Sequence, residues 1–469
     1  MAQGHMIPMM DIGKLLAQQG MMVTIITTPL NAQRYATTIA HSKESGLKIQ
    51  VLEIHFPCQE VGLPNNCENL DMMPSLSLGT EFFVATYTLQ EPVISLFEQL
   101  SPTPDCIISD MSLPFTSEVA KKFGIPRISF NGFSAFALLC VYKLRVHKIL
   151  ETIVSESEPF VVPDIPDHIT LTKKQLPSAM TEMKEFGLLV GAAEMNNYGF
   201  IINSFEELET TYIQEFIKAR GCKVWCIGPV SLCNKENLDK VHRGNKASIE
   251  ESECLNWLNS HQPGSVIYAC LGSLCNMTSS QLIELGLGLE ESSRPFIWVI
   301  RNWEISKGLN EWLVEDGFEE RNKGTGLLIR GWAPQLTILS HPAIGGFLTH
   351  CGWNSILEGI CAGVPMVTWP LFGDQFCNEK LVVEILKIGV SVGSEVTIRW
   401  GEEEKIGVLV NKEDVTKAID GLMNKGVESE ERIKRVQELS KMAKKATTEE
   451  GSSYFNLKQL IEDIMQQAC

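Results

Sequence analysis

Short apolar runs that suit β-strands alternate with helix-length amphipathic segments along this chain, and the alternation occurs twice. It is typical of βα units that stack on parallel sheets. The sequence predicts strands at residues 23–27, 50–54, 106–109, 127–130, 201–203 and 224–227 in the first half, and at 266–271, 296–300, 327–329, 346–349, 365–368 and 390–392 in the second. Predicted helices lie at residues 9–19, 82–100, 280–292, 353–361, 375–386, 412–424 and 454–467. We therefore expect two α/β domains with Rossmann-like sheets that face each other across a cleft.

A polar segment divides the two halves. Gly228 and Pro229 close the first half, and residues 234–250 are rich in Asn, Lys, Asp and Gly, which is the composition of an exposed linker. We expect an N-terminal domain over residues 1–233, a linker over 234–250 and a C-terminal domain over 251–450. The final helix, within residues 451–469, is expected to pack back on the N-terminal domain through one apolar face, which carries Phe455, Leu457, Leu460, Ile461 and Ile464.

The start of the chain departs from this pattern. His5 directly precedes the predicted helix at residues 9–19, and a parallel sheet whose next strand is at 23–27 normally has a strand leading into that helix. Either the chain begins late or the N-terminal sheet lacks its first, central strand. Each large aliphatic side chain buried by such a strand contributes about 1.5 to 3 kcal/mol. We therefore expect a version extended upstream by about 10 to 15 mostly apolar residues to be more stable and more active.

Charge and cysteine content exclude several classes of partner. The net charge is -17, and the densest basic stretch, Lys441, Lys444 and Lys445, is flanked by glutamates. A nucleic acid would be repelled by this charge. The fourteen cysteines are scattered without a Cys-x-x-Cys pair or zinc-ligand spacing, which favours free thiols and a cytoplasmic location. No apolar run reaches the ~18 residues needed to span a bilayer, so no membrane span is expected.

The segment from residue 332 to 375 carries the most chemical information. It reads WAPQLTILSHPAIGGFLTHCGWNSILEGICAGVPMVTWPLFGDQ. A predicted strand ends at Thr349, and His350 and Gly352 follow it before a predicted helix. A helix start offers unpaired N–H groups and the positive end of the helix dipole, and glycine lets the backbone approach a ligand, so this junction suits a diphosphate. Glu358, one turn into the helix, can accept hydrogen bonds from ribose hydroxyls.

The whole segment resembles the signature box of plant secondary-product UDP-glycosyltransferases over its full 44 residues. The resemblance implies a GT-B type fold and a UDP-sugar donor. It assigns Trp332 and Ala333 to the uracil, Gln335 and Glu358 to the ribose, Ser273, His350, Gly352, Asn354 and Ser355 to the phosphates, and Trp353, Asp374 and Gln375 to the sugar. In that family the last position of the box is usually Gln for glucose donors and His for many galactose donors. Gln375 therefore favours UDP-glucose.

Several of these residues also have a purely structural interpretation. Trp332 taken alone would be an ordinary core or rim tryptophan, and His350 would be a hydrogen-bonded turn residue. Ser273, Asn354 and Asp374 could cap helix N-termini, although capping and phosphate binding use the same N–H groups. The match to the complete box favours the binding roles.

The catalytic residues are expected in the first half. Residues 1–8, MAQGHMIP, resemble the family loop that carries the catalytic base, which assigns that role to His5. Asp110, at the end of the predicted strand at 106–109, matches the family's partner acid, although alone it would be a cap after a strand. Such an acid fixes the tautomer of the histidine and stabilises the imidazolium. The resemblance implies displacement at the anomeric carbon with inversion, and because the chain has no Asp-x-Asp, neither a metal nor another cofactor is expected.

The resemblance extends across the chain and is closest to the subgroup that glucosylates triterpenes, flavonoids and plant hormones. We expect a monomeric, inverting UDP-glucose-dependent O-glucosyltransferase whose acceptor is an apolar small molecule. Candidate acceptor-pocket residues, each of which could equally belong to the core, are Phe115, Phe130, Phe133 and Leu188. Two alternatives stay open: a two-domain UDP-sugar enzyme such as an epimerase, and a UDP-sugar-binding protein with weak or no catalysis.

Overall fold

The strands follow the predicted alternation. The computed structural model describes residues 2–181, 183–241, 243–301 and 307–467. Its strands are β1 (Val23–Thr27), β2 (Ile49–Glu53), β3 (Ile107–Asp110), β4 (Arg127–Asn131), β5 (Phe160–Val161), β6 (Thr170–Leu171), β7 (Gly199–Ile202), β8 (Lys223–Cys226), β9 (Val266–Cys270), β10 (Phe296–Ile300), β11 (Gly326–Arg330), β12 (Ile344–Thr349), β13 (Met366–Thr368) and β14 (Gly389–Ser391). All twelve predicted strands are present, with ends displaced by at most two residues. The short antiparallel pair β5–β6 is additional.

The helices fill the segments between the strands. In the first half they are α1 (Gln3–Gln18), α2 (Pro29–Arg34), α3 (Ala36–Glu44), α4 (Gly79–Tyr87), α5 (Gln90–Phe97), α6 (Thr116–Phe123), α7 (Ala135–Val146), α8 (Ile149–Thr152), α9 (Lys184–Met195), α10 (Glu206–Arg220) and α11 (Asn237–Val241). In the second half they are α12 (Glu251–Asn259), α13 (Ser279–Glu291), α14 (Lys307–Glu315), α15 (Phe318–Arg321), α16 (Gln335–Leu339), α17 (Trp353–Ala362), α18 (Gln375–Lys380), α19 (Glu403–Ile406), α20 (Lys412–Met423), α21 (Val427–Ala446) and α22 (Ser452–Gln467). In the described ranges, no helix has both the length and the apolarity that crossing a bilayer requires.

The second half of the chain forms a parallel sheet of six strands in the order β11-β10-β9-β12-β13-β14. Every residue of β10, and all but the last of β9, is buried, as expected for strands covered on both faces. The chain builds outward from β9 to β10 and β11, then returns to β12 on the other side of β9. This reversal leaves a crevice at the carboxyl ends of β9 and β12, where doubly wound sheets bind ligands.

The sheet of the first half is interrupted. β1 pairs with β2, while β3, β4, β7 and β8 pair in that order, and within the described ranges no strand lies between β1 and β3. A cavity of about 480 Å³, lined by residues of β1, β3 and α1, occupies the gap. The fold is therefore GT-B-like, with two Rossmann-like sheets, and the N-terminal sheet lacks a central strand as the sequence indicates.

The first helix begins six residues earlier than predicted, so His5 lies on its first turn rather than in a loop. Pro8 lies within α1, and because proline has no N–H, the carbonyl of Gly4 keeps no partner inside the helix. The Asn354 side chain, from the second half of the chain, donates to that carbonyl. This tertiary contact stabilises the helix start, and local sequence gives no sign of it.

The predicted helix at residues 82–100 is two helices, α4 and α5. Pro92 lies in the first turn of α5, where its missing N–H costs no hydrogen bond. In a continuous helix the proline ring would collide with the carbonyl of Thr88, so the helix ends and restarts at this point.

Residues 234–250 are not the exposed linker that their composition predicts. Asn234 and Asp239 are only 4% and 9% exposed. The Nζ of Lys14, on α1, lies 3.0 Å from Asn234 Oδ1 and 2.9 Å from Asp239 Oδ1. The side chains of Asn234 and Asp239 therefore face α1 rather than water, whereas Lys235, Glu236 and Lys246 are exposed. Composition alone does not distinguish these two environments.

The final helix, α22, packs against β8 of the first sheet. Leu457, Leu460 and Ile464 are buried there, but Phe455 is 68% exposed, so its predicted place on the apolar face is wrong. Asp463 fixes the helix, because its carboxylate accepts hydrogen bonds from Trp225 Nε1 at 3.1 Å and from Lys223 Nζ at 2.6 Å.

Candidate active site

His5 and Asp110 are in contact at the cleft. Asp110 is the last residue of β3, and its Oδ2 lies 2.6 Å from His5 Nδ1. The other carboxylate oxygen of Asp110 accepts the Ser112 N–H at 2.8 Å. The His5 side chain is 24% exposed and that of Asp110 is 7% exposed. Because Asp110 occupies Nδ1, the Nε2 atom is the nitrogen that can accept a proton from a substrate.

Burial and charge act in opposite directions on this pair. Burial lowers the pKa of His5, but the charge of Asp110 and its hydrogen bond outweigh burial and raise that pKa above its ordinary value. Burial raises the pKa of Asp110, but the charge and hydrogen bond of His5 and the Ser112 N–H bring that pKa below its ordinary value. The pair therefore favours an imidazolium beside a carboxylate, which is the state formed after proton abstraction.

Gly132, which follows β4, is a site residue that the sequence analysis missed. A Cβ at this position would lie 3.4 Å from His5 Cε1, so a side chain would press on the imidazole ring. Glycine therefore leaves the space in which the His5 ring is held. A glycine after a strand is too common a signal to have indicated this role.

The His350 ring lies between two glycines. A Cβ on Gly272, in the loop after β9, would lie 2.5 Å from His350 Nε2, and a Cβ on Gly352 would collide with the same atom. Ser273, beside Gly272, is half-buried. Burial lowers the pKa of His350 to about 4, so the ring is neutral near pH 7. Its Nδ1 is buried and has no hydrogen-bond partner among the described residues, which leaves it available to a ligand.

The N-terminus of α17 is open toward the crevice. Gly352 is its N-cap residue, and among the described residues no side chain caps the first turn. Cys351, just before it, has a left-handed backbone with φ of 63°, a conformation that costs energy in a residue with a side chain. Asn378 Nδ2 donates to the Cys351 carbonyl at 3.0 Å and so supports the strained turn. The free N–H groups and the helix dipole suit a phosphate.

Trp353 and Asn354 contact the first half of the chain. The Trp353 indole is buried and donates to the Asn203 carbonyl at 2.7 Å, and the assignment of Trp353 to the sugar stays a prediction. A buried indole N–H requires an acceptor, and the other half of the molecule supplies it. Asn354 accepts from Asn203 Nδ2 at 3.0 Å and donates to Gly4 rather than pointing freely at a phosphate.

Gln335, Ser355 and Glu358 form one group. Gln335 Nε2 donates to Glu358 Oε2 at 2.7 Å and to Ser355 Oγ at 3.2 Å. The Tyr268 hydroxyl donates to Gln335 Oε1 at 3.2 Å and orients the amide. Arg243, which the sequence analysis missed, contacts the other oxygen of Glu358. Ser355 therefore lies with the predicted ribose residues rather than with His350.

Trp332 is held by the segment between the two halves. The backbone N–H of Trp332 donates to Ser248 Oγ at 2.8 Å, and the backbone N–H of Ser248 donates to the Trp332 carbonyl at 2.8 Å. The Arg301 guanidinium lies 4.8 Å from the centre of the indole ring, and a Cβ on Gly244 would lie 2.5 Å from the ring edge. Ala333 follows and is 7% exposed. Residues outside the signature box therefore shape the surroundings of the predicted uracil-binding ring.

Asp374 and Gln375, which are predicted to bind the sugar, lie at the N-terminus of α18. Asp374 is close enough for its charge to act on His5, and burial raises the pKa of Asp374 to about 6. Gln375 Oε1 accepts the N–H groups of Leu371 at 2.8 Å and Phe372 at 3.0 Å. The amide oxygen is thus occupied, and Nε2 is the part of Gln375 that can reach a sugar hydroxyl.

Asn378 is a third missed residue. It is fully buried, its Nδ2 also donates to Asp374 at 2.7 Å, and its Oδ1 accepts from the hydroxyl of Ser134, the N-cap residue of α7, at 2.9 Å. One amide therefore connects the predicted sugar site to the first half of the chain. The spacing of four from Asp374 on α18 was the available signal.

The four candidate acceptor residues have different environments. Phe130 is fully buried in the core, so its proposed pocket role is wrong. Phe115 is buried but lines the cavity that reaches His5 and Asp110. Phe133 is partly buried, and Leu188 is 73% exposed.

Each half of the chain contributes a pair of partly buried aromatic rings, and one member of each pair packs against the apolar cluster that includes Phe115. Phe83 and Phe186 have ring centres 4.4 Å apart, and Phe372 and Trp400 have ring centres 5.9 Å apart. Phe83 and Trp400 pack against the same apolar cluster as Phe115. We call Phe83, Phe186, Phe372 and Trp400 the aromatic wall.

Two family models match the chain. The model described as glycosyltransferase, N-terminal domain, matches residues 1–232, and the model described as UDP-glucoronosyl and UDP-glucosyl transferase matches residues 234–410. UDP-glycosyltransferase 73C11 of Barbarea vulgaris and UDP-glycosyltransferase 73C6 of Arabidopsis thaliana are each 55% identical to it, over 100% of this chain and 95% of the relative. The chain belongs to the plant UDP-glycosyltransferase family. It is accordingly a UDP-glycosyltransferase.

Solved structures of plant UDP-glycosyltransferases share its fold. Glycyrrhiza uralensis UGT73P12, complexed with glycyrrhetinic acid 3-O-monoglucuronide, is 39% identical with a TM-score of 0.92, over 100% of this chain and 94% of that chain. Phytolacca americana UGT2, complexed with UDP-2fluoro-glucose and pterostilbene, is 28% identical with a TM-score of 0.76, over 99% and 97%. These matches confirm the predicted two-sheet architecture of this UDP-glycosyltransferase.

Proposed function

We propose that this UDP-glycosyltransferase is an inverting, UDP-glucose-dependent O-glucosyltransferase that acts on an apolar small molecule of the triterpenoid, flavonoid or hormone-like class. The observation that carries the proposal is the contact of 2.6 Å between His5 and Asp110. The charge of Asp374, one of the residues predicted to bind the sugar, acts on His5, which supports a base close to the donor sugar. Such a pair fits proton abstraction from a hydroxyl.

The reaction follows from these positions. The acceptor oxygen forms a bond to the anomeric carbon, its proton passes to His5 Nε2, and the bond from that carbon to the UDP oxygen breaks. Asp110 stabilises the imidazolium that forms, and the proton later leaves to solvent. The departing diphosphate gains negative charge, which the N-terminus of α17 and the neutral His350 ring can stabilise through N–H groups.

The residues predicted to bind the donor support this assignment. Glu358 and Gln335 present a carboxylate and an amide to the ribose, and Asp374 and Gln375 Nε2 present an acceptor and a donor to the sugar hydroxyls. The donor site as proposed needs neither a metal nor another cofactor. Among the described residues, no group of three His, Cys, Asp or Glu side chains is arranged to hold a metal ion.

The aromatic wall supports an apolar acceptor. Partly buried rings on both sides of the cleft offer a flat molecule stacking surfaces, with the His5–Asp110 pair supplying the polar contact. Glycyrrhetinic acid 3-O-monoglucuronide and pterostilbene, found in the two related structures, are molecules of this kind.

The location and assembly of the protein are part of the same proposal. The thirteen described cysteines are all free, which supports a reducing compartment such as the cytoplasm. Both halves of the proposed site are contributed by one chain, which supports a monomer as the active unit.

Incubation with UDP-glucose and a mixed aglycone panel, followed by mass detection, tests the proposal. A new glucoside that His5→Ala does not form supports it. Conversion of UDP-N-acetylglucosamine would instead support an epimerase. UDP binding without any glucoside would support a binding protein with little catalysis.

A further inference from the structure

A buried chain of charges joins the two halves of the molecule through the segment between them. Arg243 Nε and Nη2 lie 2.9 and 2.8 Å from Asp11 Oδ2, and its Nη1 contacts Glu358 Oε1. The side chains of Asp11, Arg243 and Glu358 are 4%, 10% and 5% exposed. We call these three residues the Arg243 bridge.

The two carboxylates of the Arg243 bridge lie on helices with different proposed roles. Asp11 is on α1, the helix whose first turn carries His5. Glu358 is on α17, whose N-terminus is the proposed phosphate site. Asp11 lies six residues after His5 on the same helix, so the position of Asp11 bears on the placement of His5. The bridge is therefore one link between the helix that carries the base and the donor site, in addition to the contact of Asn354 with Gly4.

Arg243 also determines the orientation of the Glu358 carboxylate. Gln335 Nε2 holds Oε2 at 2.7 Å, and Arg243 holds Oε1. With one donor on each oxygen, the plane of the carboxylate is fixed before a ribose arrives. The remaining lone pairs can then accept two adjacent hydroxyls.

We propose that Arg243 is a positioning residue that couples donor binding at Glu358 to the placement of the helix carrying His5. This inference rests on the proposed function, because it takes Glu358 as the ribose-binding carboxylate. Arg243 touches neither the reacting atoms nor the sugar in this assignment. It acts through the two carboxylates that its planar fork engages at once.

A purely stabilising role accounts for the bridge less well. Replacing a buried ion pair with apolar groups is often neutral or stabilising, because desolvation offsets the attraction between the charges. Lys14, Asn234 and Asp239 already join α1 to the same segment. What the Arg243 bridge adds is the connection onward to Glu358.

The test measures UDP binding by titration calorimetry in the full chain, for wild type, Asp11→Asn, Arg243→Met and the double variant. Asp11 lies on the other half from the donor residues, and Arg243 links it to Glu358. We expect Asp11→Asn to raise the Kd for UDP about fivefold and Arg243→Met to raise it about tenfold. The double variant should be no weaker than Arg243→Met alone, because the two residues act as one unit. Both single variants should also lower kcat for glucosyl transfer.

Arg435→Met is the matched control, because Arg435 is an exposed arginine paired with Glu431 on α21, and its Kd and kcat should equal those of wild type. Arg243→Lys keeps the charge but loses the planar guanidinium that engages Asp11 through Nε and Nη2 and Glu358 through Nη1, so it should lose affinity even where Arg243→Met does not fold. An unchanged Kd in Asp11→Asn, additive effects in the double variant, or a wild-type-like Arg243→Lys would each overturn the coupling. Wild-type protein that binds UDP but transfers no glucose would overturn the proposed function and leave the binding cycle intact.

Discussion

At the scale of single residues, the proposed catalytic pair His5–Asp110 is the feature that substitution tests most directly. His5→Ala should lower kcat by about 100- to 10,000-fold, the usual contribution of general acid–base catalysis, because it removes the proposed base for the acceptor proton. The Kd for UDP should change little, since its proposed contacts are on the other sheet. Asp110→Asn should cost less, because the imidazole remains. Steady-state kinetics together with UDP titration checks this, and a His5→Ala protein that kept most of its kcat would refute the mechanism.

The pH profile should carry the signature of the same pair. The neutral form of His5 is the active base, and the charge of Asp110 raises its pKa, so kcat/KM should increase with pH through a value above the ordinary one for histidine. Asp110→Asn removes the charge and leaves the burial, which lowers the pKa. The acid limb of the variant should therefore move to lower pH even though its maximal rate falls. An acid limb that stays in place, or moves to higher pH, would contradict this assignment of the base.

Donor choice depends on Asp374 and Gln375. We expect UDP-glucose to be used at least several-fold better than UDP-galactose, because inverting one hydroxyl removes a contact whose loss typically costs about 1 to 3 kcal/mol. Gln375 can only donate to the sugar, since its Oε1 is held by two backbone N–H groups. Comparing kcat/KM for the two donors with one acceptor checks this. Equal kcat/KM values for the two donors would contradict the assignment of glucose as the donor sugar.

At the scale of secondary-structure elements, the gap between β1 and β3 is the most consequential feature. Both strands present an unpaired edge to a largely apolar cavity of about 480 Å³. A mostly apolar extension of about 10 to 15 residues ahead of residue 1, which includes a strand of five or six residues, should add a parallel strand there, and each buried aliphatic side chain contributes about 1.5 to 3 kcal/mol. We expect a higher Tm and faster transfer, because His5 would then follow a fixed strand.

A Gly/Ser extension of equal length is the control for the added strand, because it can occupy the gap but buries no apolar side chains. Thermal melting and glucosyl transfer are measured for the parent and both extended forms. If the apolar extension melts and turns over like the Gly/Ser form, the gap does not accept a strand.

Elements whose own residues determine them were predictable. The strand ending at Thr349 and the helix starting at Trp353 carry their apolar pattern and glycine signals locally, and most of the proposed donor residues come from the match to the signature box. The burial of Arg243, the start of α1 at Gln3 and the turning of Trp353 toward Asn203 were not predictable. Each depends on a partner more than 100 residues away, and a single sequence does not state which distant groups meet.

At the scale of the whole molecule, α22 returns the end of the chain to the first sheet through Asp463. Asp463→Ala would leave the buried Trp225 N–H without an acceptor, at a typical cost of about 1 to 3 kcal/mol. We expect a lower urea midpoint with an unchanged Kd for UDP, because the donor residues are on the other sheet. Glu462→Ala, at the exposed neighbouring position, should behave like wild type. A urea midpoint unchanged by Asp463→Ala would show that α22 is held by its apolar face alone.

The contact between His5 and Asp110 has a further consequence, because it is complete before any acceptor binds and His5 is partly open to solvent. A base held in this way acts on whichever hydroxyl reaches Nε2, and water is the most abundant one. Whether the donor reacts with the acceptor or with water then depends on how much of the site the acceptor fills. An acceptor that fills the space against the aromatic wall displaces water and is glucosylated. A small or polar acceptor leaves room for water. Hydrolysis of UDP-glucose to free glucose thus competes with transfer, and the shape of the acceptor decides how much donor is lost.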